Sequence, residues 1–222
     1  TDIIQVSEAI HERKMIELVQ DIERRKDSVK MVLIAGPSSS GKTTFAQKLG
    51  VQLKLMGFNP ITISMDNYFV ERVDNPLDEE GNYDFECVEA LDRDLINSQM
   101  RDLIEGKTVE LPRFDFIHGK KEYKGDFLKL EKNDILIVEG IHALNPILTE
   151  FTPDKNKYKI YIAPIATLSI DGYTKVSSTD TRLLRRMVRD YNTRGHGVER
   201  TFELWKNVKK VKKNIFSLLL IQ

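Results

Sequence analysis

The sequence predicts an α/β protein, a doubly wound parallel sheet flanked by helices, and three observations carry that prediction. Short apolar runs at Met31–Ala35, Ile61–Met65, Asp134–Val138 and Lys159–Ala163 alternate with stretches of helical apolar spacing, the pattern of parallel strands joined by crossover helices. The first run opens directly onto Gly36-x-x-x-x-Gly41-Lys42-Thr43, with a helical pattern beyond it. Two other runs end in a single acid, Asp66 and Glu139, where the carboxyl ends of parallel strands face a ligand.

Each element has its own reason. Val6 to Arg25 has no glycine or proline and sets Ile10, Met15, Leu18, Val19 and Ile22 on one side, which predicts an amphipathic helix ahead of the core. Thr43 to Leu55 continues the glycine loop as a helix, with helical apolar spacing at Phe45, Leu49, Leu53 and Met56. Gly57 and Pro60 punctuate before the second strand, which ends at Asp66. Glu71 to Tyr83 carries acids, Pro76 and Gly81 and predicts an exposed loop, followed by a helix from about Glu86 to Glu105. Val109 to Leu130 alternates and is rich in aromatics and lysines, which predicts a small hairpin. The strand ending in Glu139-Gly140, the strand at Lys159 to Ala163 and helices at Thr181 to Tyr191 and Arg200 to Asn214 complete the order.

With 222 residues, 41% of them hydrophobic, the chain can bury one substantial core. Lysine plus arginine and aspartate plus glutamate both number 34, which argues against a general nucleic-acid binder. Cys87 is the lone cysteine, which excludes an internal disulfide framework and suits a reducing, cytoplasmic setting. No run reaches membrane-spanning length and no signal-peptide pattern opens the chain, so no membrane partner is expected. Residue 1 is Thr, which fits a processed start or a fragment of something longer.

Apolar run, glycine loop and helix together mark a P-loop, and hence the P-loop NTPase fold. The glycines let backbone N–H groups turn around a polyphosphate, the lysine reaches the β/γ-phosphates and the threonine hydroxyl holds Mg²⁺. Gly36, Ser38, Ser39, Ser40, Gly41, Lys42, Thr43 and Thr44 are the candidate nucleotide-binding residues. Phosphoryl transfer also needs a metal-side acid and an acid near the acceptor hydroxyl. Glu139 suits the first role, with Thr43, and Asp66 the second as general base. Arg182, Arg185, Arg186 and Arg189 fall at i, i+3, i+4 and i+7 on one helix face, with Leu183, Leu184, Met187 and Tyr191 as the opposite, packing stripe. That face reads as a helical lid over phosphates, continued by Arg194 in a loop with Gly195 and Gly197. Phe69, Tyr83, Phe114 and Phe116, with Asp84, Asp115 and His118, suit a heterocyclic acceptor, and His118 and His196 are candidate base or sugar contacts. His11 and His142 have no partner pattern, and no His/Cys cluster suits zinc.

These landmarks resemble the uridine kinase and phosphoribulokinase family of P-loop kinases: GPSSSGKTT at Gly36, DNYF at Asp66, GNYDF at Gly81, LPRFDF at Leu111, IVEGI at Ile137 and TDTRLLRRMVRDYNTRG at Thr179. They cover roughly residues 30 to 216 in the family's order. The resemblance implies ATP-dependent phosphorylation of a hydroxyl, in uridine kinases the 5′-hydroxyl of uridine or cytidine. It implies Asp66 as base, Lys42 and Thr43 as phosphate and Mg²⁺ contacts and Glu139 as the metal-side acid. Phe69, Tyr83, Asp84, Phe114 and Arg186 fall where the nucleoside is held, and Arg189 and Arg194 where phosphates are clamped. The chain departs from the family in having only Ile117 between Phe116 and His118, and in His196 where well-studied members carry arginine. The Arg194-Gly195-His196 run with Trp205 is similar to a bacterial subgroup that follows domains related to the N-terminal part of threonyl-tRNA synthetase.

On this reading residues 1–28 form a leading helix, a linker from a preceding region, and residues 29–222 a kinase domain with an incomplete C-terminus. The expected partners are ATP·Mg²⁺ and a small-molecule nucleoside, with a homo-oligomer allowed. A sugar phosphate or pantothenate as acceptor, or a nucleotide-binding regulatory module without turnover, stays open as an alternative.

Overall fold

The computed structural model describes residues 2–164, 171, 173, 174, 176–195, 197–205 and 208. A four-stranded parallel sheet in the order β2-β5-β1-β6 organises them. Its strands are β1 (Met31–Ala35), β2 (Asn59–Ser64), β5 (Asp134–Gly140) and β6 (Lys157–Tyr161), and a separate antiparallel pair is formed by β3 (Val109–Asp115) and β4 (Lys120–Leu128). The helices are α1 (Asp2–Arg24), α2 (Lys42–Leu55), α3 (Arg93–Ile104) and α4 (Ser178–Thr193). The α/β class and the hairpin are therefore as expected.

Alternation along the strands splits the core in two. Val32 and Ile34 of β1 and Ile135 and Ile137 of β5 face α1 and α2, against Val19, Ile22, Ala46, Leu49 and Leu53. Met31, Leu33, Leu136 and Val138 face the other way, against Ile96, Met100 and Leu103 of α3 and Val109 and Phe114 of the hairpin. Burial on both faces is why β1 and β5 read as continuous apolar runs. β2 is an edge of this sheet, and an edge accommodates Pro60 within the strand.

The helices depart from expectation in several places, and strand and helix ends elsewhere shift by two or three residues. The helix expected from Glu86 begins only at Arg93, because Asp92 caps it by accepting the Leu95 N–H at 3.1 Å. The preceding residues form a short 3₁₀ turn, Val88–Ala90, and leave Glu86 outside any helix. α1 buries Met15, Val19 and Ile22; Ile10, expected on the same side, is exposed, and beside it His11 lies edge-on to Phe45 of α2. In the last predicted helix residues 198–205 are helical, and most of the segment beyond lies outside the described residues.

Register brings the reacting ends together. Ala35 pairs with Gly140 and Ser64 with Glu139, so the glycine loop, the β2 end and the β5 end finish at one level. A Cβ on Gly140 would stand 2.7 Å from the Met65 Cβ, so only glycine lets the Met65–Tyr68 turn, which carries Asp66, close onto β5.

Candidate active site

The P-loop needs its glycines for two separate reasons. A Cβ on Gly36 would approach the Ile162 carbonyl oxygen to 2.6 Å, and Gly41 precedes α2 at φ 100°, the left-handed region. The turn delivers Lys42 and Thr43 at the N-terminus of α2, where N–H groups and the helix dipole favour anions. Lys42 Nζ donates to the Pro37 carbonyl at 3.3 Å, and burial pushes its pKa down. Thr43 Oγ1 and Ser64 Oγ both donate to Glu139 Oε1 at 3.0 Å. Glu139 is buried, and burial first and the nearby Asp66 second push its carboxyl upward.

Across from these groups stands Asp66, in the 3₁₀ turn after β2. Arg194 Nη2 donates to its Oδ2 at 2.9 Å, and the same guanidinium lies 4.4 Å from the centroid of Phe116. Phe116 continues an aromatic wall: Phe114 is 5.3 Å from it, Phe69 is 5.6 Å from Phe114, and Phe85 is 6.2 Å from Phe69.

α4 presents its basic side inward. Arg182 Nε donates to the Ser38 carbonyl at 2.8 Å, and Arg186 Nη1 donates to Ser38 Oγ at 3.1 Å and to Glu86 Oε1 at 2.7 Å. Asp190, 1% exposed, accepts from Arg186 at 3.3 Å and from Arg189 at 2.7 and 2.9 Å, with Arg194 Nε 3.9 Å away. Trp205 covers both inner arginines, its ring 5.3 Å from Arg182 and 6.0 Å from Arg186. The expected packing stripe holds only in part: Leu183 and Met187 are half-buried, but Leu184 and Tyr191 are 64% and 70% exposed, while Arg182 and Arg186, expected on the basic face, are buried and Arg185 is exposed. The physical reason is that α4 docks on a polar loop mouth, whose carbonyl, hydroxyl and carboxylates satisfy guanidinium groups that an apolar core cannot.

One cavity of about 490 Å³ collects most of these groups, while Ser64, Arg182 and Trp205 do not border it. Of the expected residues, Ser38, Ser39, Gly41, Lys42, Thr43, Thr44, Asp66, Phe69, Tyr83, Phe114, Phe116, Glu139, Arg186, Arg189 and Arg194 line it. Gly36 and Ser40 shape the loop from behind, and Asp84 and His118 do not border the cavity. Asp84 Oδ1 instead accepts the Glu86 N–H at 3.0 Å. The His118 side chain is 72% exposed and its Nδ1 lies 2.6 Å from Asp115 Oδ2; that contact pulls the Asp115 carboxyl down to about 2. His196 lies outside the described residues. The cavity also holds Arg72, Phe85, Glu86 and Asp190, which sequence reasoning missed. Asp190 carried a signal, standing four residues after Arg186, one after Arg189 and four before Arg194, and Phe85 closes the GNYDF run. Arg72 closes the hairpin tip by donating to the Phe116 carbonyl at 2.7 Å and, from its backbone, to Gly119 at 2.9 Å. His142 gains a partner too: its Nε2 lies 2.8 Å from the Glu86 carbonyl, and burial holds its pKa low, so the neutral ring donates.

A phosphate loop on a parallel sheet, facing a strand-end acid and a helix of inward arginines, defines a P-loop phosphotransferase. Residues 31–216 match the Phosphoribulokinase / Uridine kinase family, and the chain belongs to it. Similar proteins include the uridine kinase of Staphylococcus haemolyticus, 31% identical over 82% of this chain and 79% of that protein. The uridine kinase of Staphylococcus aureus strain JH9 is 32% identical over 79% of this chain and 75% of its own length. Among solved structures, D-glycerate 3-kinase from Cryptococcus neoformans shares the fold with a TM-score of 0.53 at 14% identity, covering 90% of this chain and 86% of that one. Membership in this kinase family implies ATP binding.

Proposed function

We propose that this protein transfers the γ-phosphoryl group of ATP to the 5′-hydroxyl of a pyrimidine nucleoside, uridine or cytidine. The observation that carries this reading is that Asp66 and the P-loop share one cavity whose far half is walled by Phe69, Phe85, Phe114 and Phe116. Rings in edge and tilted contact offer flat faces to a heterocyclic base, and Asp66 stands between that wall and the phosphate loop as the acceptor of the hydroxyl proton. Curated relatives at about 30% identity carry the name uridine kinase.

Each residue then has work to do. Lys42 and the N–H groups at the start of α2 hold the β/γ-phosphates. Arg189 and Arg194 neutralise charge on the transferring group, and Arg194 leaves Asp66 as the hydroxyl arrives. Thr43 and Glu139 fit Mg²⁺: they are hard oxygen donors, and Glu139 is a buried carboxylate held with hydroxyl donors on one oxygen. The metal supplies charge neutralisation on the phosphate oxygens when bound. α4, held to the P-loop by Arg182 and Arg186, excludes water, the competing acceptor.

Acceptor-dependent ADP release from ATP·Mg²⁺ tests the reading across uridine, cytidine, other nucleosides, pantothenate, D-glycerate and sugar phosphates. Turnover with uridine or cytidine that Asp66→Asn removes is expected. Turnover confined to a non-nucleoside acceptor overturns the nucleoside assignment, and ATP binding with no acceptor-dependent release overturns the kinase assignment.

A further inference from the structure

One guanidinium on the cavity wall has no carboxylate to answer it. Arg72, in the loop after the Asp66 turn, is half-buried and borders the cavity. Its Nη2 donates to the Phe116 carbonyl at 2.7 Å and its backbone N–H to the Gly119 carbonyl at 2.9 Å, while Nε and Nη1 have no partner among the described residues. A Cβ on Gly119 would stand 2.7 Å from Arg72 Nε and 2.8 Å from its Cβ, so the side chain lies against the hairpin tip where only glycine leaves it room. The guanidinium is therefore fixed by the hairpin with part of its donor fork unspent.

Its place follows from its neighbours. Glu86 is tied towards the donor loop, since Arg186, which holds it, also donates to Ser38. Asp66 and Arg194 stand across from that loop, with Arg194 over the Phe116 ring. Arg72 takes the carbonyl of the same Phe116, at the hairpin tip, beyond the wall as counted from Asp66. Tyr83, beside Phe85, borders the cavity as well, but its hydroxyl both donates and accepts and so does not tell a carbonyl from an amino group.

We infer that Arg72 is a specificity-determining residue that donates to the 4-carbonyl oxygen of uracil and so makes uridine the acceptor in preference to cytidine. The assignment rests on the nucleoside reading above. With the 5′-hydroxyl at Asp66, the ribose and the glycosidic nitrogen come next, and the 4-position lies across the base from that nitrogen, the part reaching farthest from Asp66. Uracil carries a carbonyl oxygen there, whereas cytosine carries an amino group that donates. A guanidinium donates only and does not lose its proton, so it has no form that accepts from the amino group. Donor facing donor forfeits the bond and leaves both groups unpaired in a partly closed site.

The test compares kcat/KM for uridine, cytidine and the 2-pyrimidinone riboside, which lacks the 4-oxygen, in the wild type, Arg72→Gln and Asp115→Ala, with melting temperature and ATP affinity recorded for each. Wild type is expected to favour uridine over both analogues by about tenfold or more, since hydrogen bonds to charged groups are the strong ones. Arg72→Gln is expected to bring uridine and cytidine within about threefold of each other, because an amide can turn to present either its carbonyl or its NH₂. Asp115 accepts the Ile117 and His118 N–H groups at the same hairpin tip and does not border the cavity. Asp115→Ala therefore loosens the tip without touching the base, and is expected to lower all three substrates together and leave the uridine-to-cytidine ratio in place. The wild-type comparison of the three nucleosides stands by itself if Arg72→Gln does not fold. A wild type that fails to favour uridine by that margin, an Arg72→Gln enzyme that keeps the wild-type ratio, or an Asp115→Ala ratio that moves as far as that of Arg72→Gln overturns the assignment. A wild type that turns over no nucleoside overturns the nucleoside reading, and this assignment with it, by a different observation.

Discussion

Arg194 donates to Asp66 and lies over Phe116, so one guanidinium joins the proposed base, the acceptor wall and the end of α4. A carboxylate held by a cation is fixed in place, and exchanges that partner for a substrate hydroxyl without a large movement. Asp66→Asn keeps the size and loses the proton acceptor; kcat is expected to fall by about 10² to 10⁴ while ATP affinity is retained, which rapid-quench and equilibrium binding measurements would separate. Glu139 gives a second test at this scale. Its carboxyl is pushed up by burial and by Asp66, and a bound cation reverses that push. Glu139→Gln is expected to raise the Mg²⁺ concentration for half-maximal rate by about 10- to 100-fold, and an unchanged Mg²⁺ dependence would remove Glu139 from the metal site.

Among the elements, α4 shows where sequence patterning stopped being informative. Its i, i+3, i+4, i+7 arginines were legible as one face, but which face turns inward depends on Ser38, Glu86 and Trp205, and no local period encodes those partners. P-loop, β1, β5 and the strand-end acids were legible because burial on both faces and the glycine requirements are local. Leu184→Gln and Tyr191→Gln are therefore expected to change unfolding free energy by no more than about 0.5 kcal/mol, whereas Arg182→Ala costs about 1–3 kcal/mol by stripping a donor from the buried Ser38 carbonyl. Urea denaturation of the three variants checks this orientation of α4, and a larger loss from Leu184→Gln than from Arg182→Ala would contradict it. The loop after β5 adds a pH dependence. His142 is buried and neutral, its pKa held below the ordinary 6.5, so the unfolded chain binds the extra proton. Its contribution is present above pH 6.5 and is lost as pH falls through the lowered value. Wild-type stability is expected to decline on acidification from pH 6.5 down to that lowered value more steeply than that of His142→Gln, which thermal melts at matched ionic strength would show.

At the scale of the whole molecule, one cavity is assembled from segments distant in sequence: the loop after β1, the turn after β2, the acceptor loop at Tyr83–Glu86, the hairpin and α4. Sequence spacing identified most of these segments separately. It did not reveal that Arg182 and Arg186 bind the donor loop, that Arg186 also binds the acceptor loop, or that Arg194 binds Asp66. These hydrogen bonds and ion pairs make α4 a bridge, so occupation of the donor site stabilises elements that never touch the nucleotide. A ligand that binds only the folded state adds RT ln(1 + [L]/Kd), about 2.7 kcal/mol at a hundredfold excess over Kd. With ATP·Mg²⁺ at that excess, the full gain is expected in a single cooperative urea transition followed both by far-ultraviolet dichroism and by the fluorescence of Trp205, the chain's one tryptophan, which packs on Arg182 and Arg186. Arg186→Gln cuts α4 from the acceptor loop while Arg182 keeps its hold on the P-loop carbonyl. In that variant the tryptophan transition is expected to fall to lower urea than the dichroism transition. Coincident transitions in the variant would show that α4 is held by Arg182 and Trp205 without the bridge to Glu86.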